Sequence, residues 1–160
     1  MIINQKTITP RKMTVGIAAD HGGFKLKKTI VKMLLESNYE VVDFGNSHLD
    51  ENDDYPDFII PLARAIATNT VNRGIAICGS GVGAAIVSNK IVGVRAALVN
   101  DCFSAHQGVE DDDMNLICLG GRITGFAVAQ EYVNAFLRAE FSGAERHLRR
   151  LEKVKAVEKR

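Results

Sequence analysis

The sequence predicts an α/β fold, a doubly wound, Rossmann-like three-layer sandwich around a five-stranded parallel sheet. Short β-branched apolar runs alternate along the chain with helical patterns, an alternation typical of parallel sheets. Residues 74–78 are almost wholly apolar, as expected of a central strand that is covered on both faces. The chain has 160 residues, the size of one domain with one core. We therefore do not expect two independent folding units.

The first half of the chain is predicted to hold two strands and two helices. Residues 15–19 (VGIAA) form the first strand, and a helix over 24–37 places its apolar side chains on one face with lysines opposite. Residues 39–44 form the second strand, which a polar loop follows. The next helix starts at Pro56, a residue suited to the first helical turn, and Pro61 is expected to bend it.

The second half continues the alternation. After the strand at 74–78, three glycines within residues 79–83 lead into a helix near 84–89. The remaining predicted elements are a strand over 94–99, a helix from its N-cap Asp101 to about 108, a strand over 116–119 and a helix from 124 to about 140. A last helix, at about 143–158, carries an apolar stripe of Leu148, Leu151, Val154 and Val157.

Residues 1–13 precede the first periodic segment, and we expect them to form a flexible extension to a single domain over 14–160. The formal charge of +1 provides no global field that would recruit nucleic acid or an anionic membrane. No apolar run is long enough to predict a membrane span. The three cysteines lack the even count of a disulfide framework and the spacing of a zinc site, so we expect free thiols and a cytoplasmic location.

Cys78 is the strongest candidate for chemistry. It ends the third predicted strand and precedes a glycine-rich loop and a helix, where backbone amides and the helix dipole lower the pKa of a thiol. A thiolate beside amides that stabilise an oxyanion can abstract a proton next to a carbonyl. The alternative is a buried cysteine that packs as a small hydrophobe, which is the interpretation we give to Cys102 and Cys118.

The glycine loop has a second interpretation. Residues 79–84 (GSGVGA) also fit the dinucleotide-binding pattern with Ala in its third place, and Asp101 follows the next strand. The pattern stands after the third predicted strand instead of the first, and the acidic residue comes early, so nicotinamide binding is the weaker hypothesis. The acidic run at 110–113 matches no established carboxylate loop. We expect neither a cofactor nor a metal.

Further polar residues follow other predicted strands. Asp20 and His21 come after the first strand, where they could hold substrate hydroxyls or phosphate; the alternative is a capping pair. Arg122 follows the fifth strand, and Arg146 and Arg150 share one face of the last helix. Guanidinium groups bind phosphate through paired hydrogen bonds, although most such clusters are solvated surface.

Several separated motifs in this chain are shared, in the same order, with one enzyme family. They are DHGGFKLK (20–27), DYP (54–56), ICGSGVG (77–83), NK (89–90), GVRA (93–96), GGRITG (120–125) and RH (146–147). From about residue 14 to 150 the chain resembles the type B ribose-5-phosphate isomerases and their galactose-6-phosphate isomerase relatives. The resemblance implies a sugar-phosphate aldose–ketose isomerase without metal or cofactor. It also implies a homodimer or a tetramer whose sites are completed by the partner subunit, with the helix at about 143–158 packing on that partner.

The resemblance further implies roles at matching positions. Cys78 is the base that moves a proton between C1 and C2, and Ala84, where some members have a Glu base, places the chain in the cysteine-base subgroup. Ser80 would stabilise the cis-enediolate together with the backbone amides of Gly79, Gly81, Val82 and Gly83. Asp20, Tyr55, Asp112 and Asn115 would contact the sugar, and His21, Arg122, Arg146 and Arg150 would bind the phosphate.

The chain departs from the ribose-5-phosphate isomerases at one position. Those enzymes open the furanose ring with a His–Asn pair where this chain has Asp111 and Asp112. We expect conversion of ribose 5-phosphate to ribulose 5-phosphate, with Asp111 as the catalytic replacement for the histidine. The alternatives are a tetrose 4-phosphate, which cannot close a furanose, or a hexose 6-phosphate as substrate. A noncatalytic sugar-phosphate sensor is the remaining alternative.

Overall fold

Five parallel strands form one sheet in this computed structural model, which describes residues 12–158. They are β1 (Thr14–Ala19), β2 (Glu40–Asp43), β3 (Arg73–Cys78), β4 (Ala96–Leu98) and β5 (Leu116–Gly120). Their order across the sheet is β2-β1-β3-β5-β4, and every pair is parallel. The predicted five-stranded parallel sheet is confirmed. The predicted N-terminal extension lies, for residues 1–11, outside the described residues.

Helices cover both faces of the sheet. Within the described residues they are α1 (Phe24–Glu36), α2 (Tyr55–Ala67), α3 (Val82–Ser88), α4 (Cys102–Asp112), α5 (Phe126–Arg138) and α6 (Glu145–Glu158). Apolar side chains of α1, α4 and α5 form one core with the sheet, and those of α2 and α3 form the other. The three-layer sandwich predicted from the sequence is confirmed. No helix in the range 12–158 has the length and apolar character needed to cross a membrane.

The central strand β3 is buried on both faces because its side chains alternate between the two cores. Ile75 and Ile77 pack in the core of α1, α4 and α5. Ala76 and Cys78 pack in the core of α2 and α3. The position of Cys78 in this alternation directs its side chain toward the layer that contains the glycine loop and α3.

Several elements begin or end one to four residues from their predicted boundaries, and β4 and α4 are the two that bear on the site. The fourth strand begins at Ala96 instead of residue 94, because the backbone N–H of Arg95 donates to Asn115 Oδ1 at 2.8 Å. Helix α4 was predicted to end near Gly108 but extends to Asp112. Its end is closed by Asp113 in the left-handed conformation, with φ of 49°. Asp111 and Asp112 therefore lie in the last turn of a helix and not in a loop.

The strand order places a switch point between β1 and β3. Helix α1 follows β1 on one face, whereas α3 follows β3 on the other face. The loops after these two strands consequently diverge, which leaves a crevice at the carboxyl edge of the sheet. This is the edge at which Asp20, Cys78 and Arg122 stand.

Candidate active site

Three loops meet at the carboxyl edge of the sheet. The register pairs Ala19 with Ile77 and Cys78 with Gly120, so β1, β3 and β5 end at nearly the same level. Neighbouring strands are about 4.8 Å apart. Asp20 therefore flanks Cys78 on one side, and the loop that starts at Gly121 flanks it on the other.

Backbone hydrogen bonds and glycines hold these loops together. The N–H of Gly121 donates to Cys78 O at 2.8 Å, and the N–H of Arg122 donates to Gly79 O at 3.0 Å. A Cβ atom added at Gly22 would lie 2.8 Å from the nitrogen of Gly79, so no side chain fits between the loop after β1 and the loop after β3. The loops thus form one rigid floor instead of three independent segments.

The side chain of Cys78 lies at the bottom of a cleft of about 440 Å³ and is 5% exposed as a residue. Its sulfur accepts a hydrogen bond from the backbone N–H of Gly81 at 3.1 Å. Gly81 adopts a φ of 82°, which a residue with a side chain rarely takes. This hydrogen bond holds the sulfur of Cys78 against the glycine loop. The cleft is lined by Asp20, Tyr55, Cys78, Gly79, Ser80, Gly83, Arg122 and Ile123.

Asp20 is a buried carboxylate beside the thiol. Its Oδ1 accepts a hydrogen bond from the backbone N–H of Gly23 at 3.2 Å. Burial raises the pKa of Asp20 above its ordinary value, against the opposing effects of His21 and of the Gly23 amide. A group in this position can accept hydrogen bonds from substrate hydroxyls while it remains shielded from water.

A second cleft, of about 560 Å³, adjoins the first and shares Arg122 with it. Its charged lining residues are His21, Lys25, Glu51 and Arg122. Lys25 and Arg122 outnumber Glu51, and a protonated His21 adds a third cation. A sugar phosphate could place its carbonyl end beside Cys78 and its phosphate toward this second cleft.

His21 is held in place by Asp53, a residue that the sequence reasoning missed. The ring Nδ1 of His21 lies 2.8 Å from Asp53 Oδ1. Asp20, His21 and Asp53 offer ligand atoms within 4.8 Å of one another, close enough for a cation site. However, the distance of 2.8 Å between Nδ1 and Oδ1 is that of a hydrogen bond, and the other oxygen of Asp53 accepts from Asn46 Nδ2. We therefore assign no metal there.

The structure separates five of the expected site residues from Cys78. Asn115 immediately precedes β5, and Cys78 is level with Gly120 at the far end of the same strand. Five residues of extended chain span about 17 Å. The separated residues, all at or near the amino edge of the sheet, are Asp111, Asp112, Asn115, Arg146 and Arg150. One subunit therefore does not assemble the whole expected site.

Asp111 is engaged in a hydrogen-bonded cluster at that amino edge. It accepts a hydrogen bond from Gln107 Nε2 at 2.6 Å and lies 3.4 Å from Nδ1 of the buried His147. The other ring nitrogen of His147 accepts a hydrogen bond from Arg146 Nε at 2.8 Å. Asp111 is thus coupled through His147 to one of the arginines expected to bind phosphate.

The surroundings of Cys118 and Asp101 indicate structural roles for these two residues and not catalytic ones. All three cysteines are free thiols, as predicted. Burial raises the pKa of Cys118 far above the usual range for a thiol, which makes that side chain inert. Asp101 caps α4 as predicted, accepting from the backbone N–H of Ser104 at 2.6 Å. Its carboxylate is therefore committed to the helix terminus.

Comparison with known proteins agrees with this geometry. Residues 15–154 match the family model described as Ribose/Galactose Isomerase. The chain is 38% identical to ribose-5-phosphate isomerase B of Escherichia coli over 146 residues, which cover 91% of this chain and 97% of that protein. It is 38% identical to D-erythrulose-4-phosphate isomerase of Pectobacterium atrosepticum over 131 residues, with coverages of 82% and 86%.

A solved structure of ribose-5-phosphate isomerase B from Mycoplasma genitalium, with bound ribulose-5-phosphate, superposes with a TM-score of 0.87. The two chains are 40% identical, and the match covers 92% of this chain and 97% of the other. The parallel sheet, its switch-point cleft and these likenesses define an aldose–ketose isomerase acting on sugar phosphates. The chain belongs to the ribose/galactose isomerase family.

Proposed function

We propose that the protein interconverts ribose 5-phosphate and ribulose 5-phosphate through a cis-enediolate, with Cys78 as the base. The observation that carries the proposal is the placement of the Cys78 sulfur, which accepts from the Gly81 amide between Asp20 and Arg122. Two relatives named as ribose-5-phosphate isomerases, one with ribulose-5-phosphate bound, support this choice of substrate.

In the proposed reaction the Cys78 thiolate removes the proton from C2 of the open-chain aldose. The electron pair forms the C1–C2 double bond, and the carbonyl oxygen takes the negative charge. Ser80 and the amides of residues 79–83 stabilise that charge. The thiol then returns the proton to C1, and a proton moves from O2 to O1, which gives the ketose without any net change in atoms or electrons.

We propose further that two subunits share each site. His21 and Arg122 stand at the Cys78 edge, whereas Arg146 and Arg150 lie at the opposite end of the subunit. In a two-fold homodimer the Cys78 edge of each subunit can face the Arg146 end of its partner. The symmetry then gives two equivalent contacts. Exposed apolar side chains at the Cys78 edge, such as Phe103 and Ile123, which is 68% exposed, support a covered surface there. A tetramer would pair two such dimers.

The first experiment follows deuterium incorporation at C2 of ribose 5-phosphate in heavy water. Cys78→Ala should abolish both exchange and turnover while phosphate affinity is retained, whereas Cys102→Ala should exchange normally. Exchange that persists in Cys78→Ala would refute the thiolate as base. Substrate binding that persists with no exchange in the unmodified protein would instead identify a sugar-phosphate sensor.

The shared site is tested by mixing two inactive variants, Cys78→Ala and Arg146→Ala. Each mixed dimer contains one site with both defects and one site with neither, so random mixing should restore about a quarter of the unmodified activity. Failure to restore any activity, while mass spectrometry detects mixed dimers, would place Arg146 outside the partner's site.

A tetrose 4-phosphate is the second candidate substrate. Asp111 stands where the ribose enzymes have a ring-opening histidine, and it is already bonded to Gln107 and close to His147. A tetrose 4-phosphate needs no furanose opening, and one relative is named D-erythrulose-4-phosphate isomerase. Rates with erythrose 4-phosphate, ribose 5-phosphate and galactose 6-phosphate distinguish the three sugars. A tenfold preference for the tetrose would displace ribose from the proposal.

A further inference from the structure

Asp53, in the loop between β2 and α2, contacts both the backbone and the ring of His21 through its carboxylate. Asp53 Oδ1 accepts a hydrogen bond from the His21 backbone N–H at 2.9 Å and lies 2.8 Å from ring Nδ1. Asp53 Oδ2 accepts from Asn46 Nδ2 at 3.2 Å. The side chain of Asp53 is only 7% exposed. The carboxylate therefore has little freedom to leave this arrangement.

The position of this loop is fixed from the protein core. Lys27 of α1 is almost wholly buried, and its ammonium donates to both carboxylate oxygens of Asp43. The same ammonium donates to the backbone carbonyl of Asn46 at 2.8 Å. Asn46 in turn contacts Asp53. A chain of hydrogen bonds thus connects the buried lysine to the His21 ring at the edge of the cleft.

Only one ring nitrogen of His21 remains for a ligand. Nδ1 is occupied by Asp53, and the His21 side chain is 29% exposed where it lines the second cleft. The ionisable groups around it are Asp20 on its own loop, Glu51 and Asp53 on the β2–α2 loop, Lys25 on α1 and Arg122 after β5. Among these, Asp53 makes the hydrogen bond to the ring.

We propose that Asp53 is a positioning residue that holds the His21 ring with Nδ1–H on the carboxylate and Nε2–H toward the cleft, so that a cationic imidazole meets the substrate phosphate. The inference rests on the anion-binding role proposed for this cleft. An aspartate on Nδ1 stabilises the imidazolium because its negative charge lies directly against the added proton. In agreement, the hydrogen bond to Asp53 raises the pKa of His21 above its ordinary value, against a smaller effect of desolvation.

The pKa of Asp53 is shifted in the direction expected for the acidic partner of a protonated histidine. Burial acts to raise the pKa of Asp53, but the hydrogen bonds from the His21 amide and ring and from Asn46 outweigh it and lower the pKa. Asp53 thus stays ionised where His21 titrates. A role limited to tying the loop would need only the bond to the His21 backbone, so the charge on Asp53 is the property to test.

Three variants separate charge from position. Asp53→Asn can still accept from Nδ1–H of a neutral imidazole, so it keeps the ring orientation but removes the negative charge. Asp53→Ala removes both. Asp57→Asn is the control, because Asp57 carries the same charge on the exposed first turn of α2. The titration of the His21 ring is followed by two-dimensional ¹H–¹⁵N NMR in all three variants and the unmodified protein, with and without inorganic phosphate.

We expect Asp53→Asn to lower the titration midpoint of His21, and Asp57→Asn to leave it unchanged. The KM of Asp53→Asn for ribose 5-phosphate should exceed that of the unmodified protein by about tenfold at pH 8. The two KM values should converge at pH 6, where both imidazoles are protonated, and kcat should change little at either pH. Asp53→Ala should have a raised KM at both pH values, since the ring is no longer oriented.

An unchanged midpoint of His21 in Asp53→Asn would overturn the inference, and so would a KM ratio that is equal at pH 6 and pH 8. The outcome is separable from the proposed function. A lowered midpoint, together with phosphate-induced shifts of the His21 signals but no turnover of any sugar, would refute the isomerase proposal and support the role of Asp53. Turnover of ribose 5-phosphate with an unshifted His21 midpoint in Asp53→Asn would support the isomerase proposal and refute the role of Asp53.

Discussion

Asp43→Ala is expected to destabilise the fold by about 2–3 kcal/mol, because it leaves the buried Lys27 ammonium without its counter-ion. The side chain of Lys27 is 2% exposed, and its Nζ lies 2.7 Å from Asp43 Oδ2. Removal of one partner from a fully buried pair costs about 3–5 kcal/mol. The expected cost is smaller here because Asp43 is 39% exposed, which admits water, and because Lys27 keeps its hydrogen bond to the carbonyl of Asn46.

The assay is urea and thermal unfolding of Asp43→Ala, of the double variant Lys27→Met/Asp43→Ala and of a surface control. A loss of 2–3 kcal/mol corresponds to a decrease in Tm of about 4–12 °C for a chain of this size. The double variant should recover most of the lost stability, because methionine has a similar length and leaves no unpaired charge in the core. Glu36→Ala, which removes an exposed partner of Lys32, should change stability by less than about 0.5 kcal/mol.

The refuting results are equally definite. A change below 0.5 kcal/mol in Asp43→Ala would mean that water already solvates the Lys27 ammonium in the folded protein. A double variant as unstable as Asp43→Ala would mean that the lost hydrogen bonds, and not the stranded charge, cause the effect. The first result would contradict the view that this ion pair fixes the β2–α2 loop from the core, and the second would assign its effect to the Lys27 hydrogen bonds instead of to the charge.

Three further predictions concern the cleft. Asp20→Asn should raise thermal stability and lower kcat/KM at least about tenfold. The pKa of Asp20 is raised on folding, so its contribution to stability is lost as pH rises through that raised value, and the variant should lack this pH dependence in unfolding. Gly121→Ala should fold but lose most turnover, because its Cβ would collide with the carbonyl of Gly22 and separate the loops; near-normal kcat would contradict this. Iodoacetamide should modify Cys78 in the native protein and leave Cys118 unmodified, as mapped by peptide mass spectrometry, and early labelling of Cys118 would contradict the burial argument.

The sequence predicted the sheet well because the signals were local. Each strand is a short apolar run bounded by turn residues, and the buried run at 74–78 indicated its central position without reference to any other segment. The predicted boundaries of β4 and α4 were wrong because a side-chain hydrogen bond and a left-handed residue, respectively, set those ends. The side chain of Asn115 accepts from the amide of Arg95, within the strand predicted to start at residue 94, and the left-handed Asp113 ends α4 four residues beyond Gly108.

The site was predictable where it follows directly from strand ends. Asp20, Cys78 and Arg122 each come just after or at the end of a parallel strand, and such ends necessarily meet at one edge. Asp53 was missed because it lies in a loop ten residues beyond β2, with no apolar periodicity to place it. Its only local signal was an acidic stretch, which is also typical of solvated surface.

The sequence by itself thus determined the order of strands and helices, the edge at which Cys78 stands and the glycines that let three loops approach. These properties depend on backbone geometry and on apolar periodicity, which neighbouring residues encode. The tertiary structure alone decided that Asp53 meets His21 and that Asp111, Arg146 and Arg150 lie toward the opposite edge of the sheet from Cys78. Those distances depend on how the crossovers between strands pack across the sheet, and no local pattern in the chain encodes that packing.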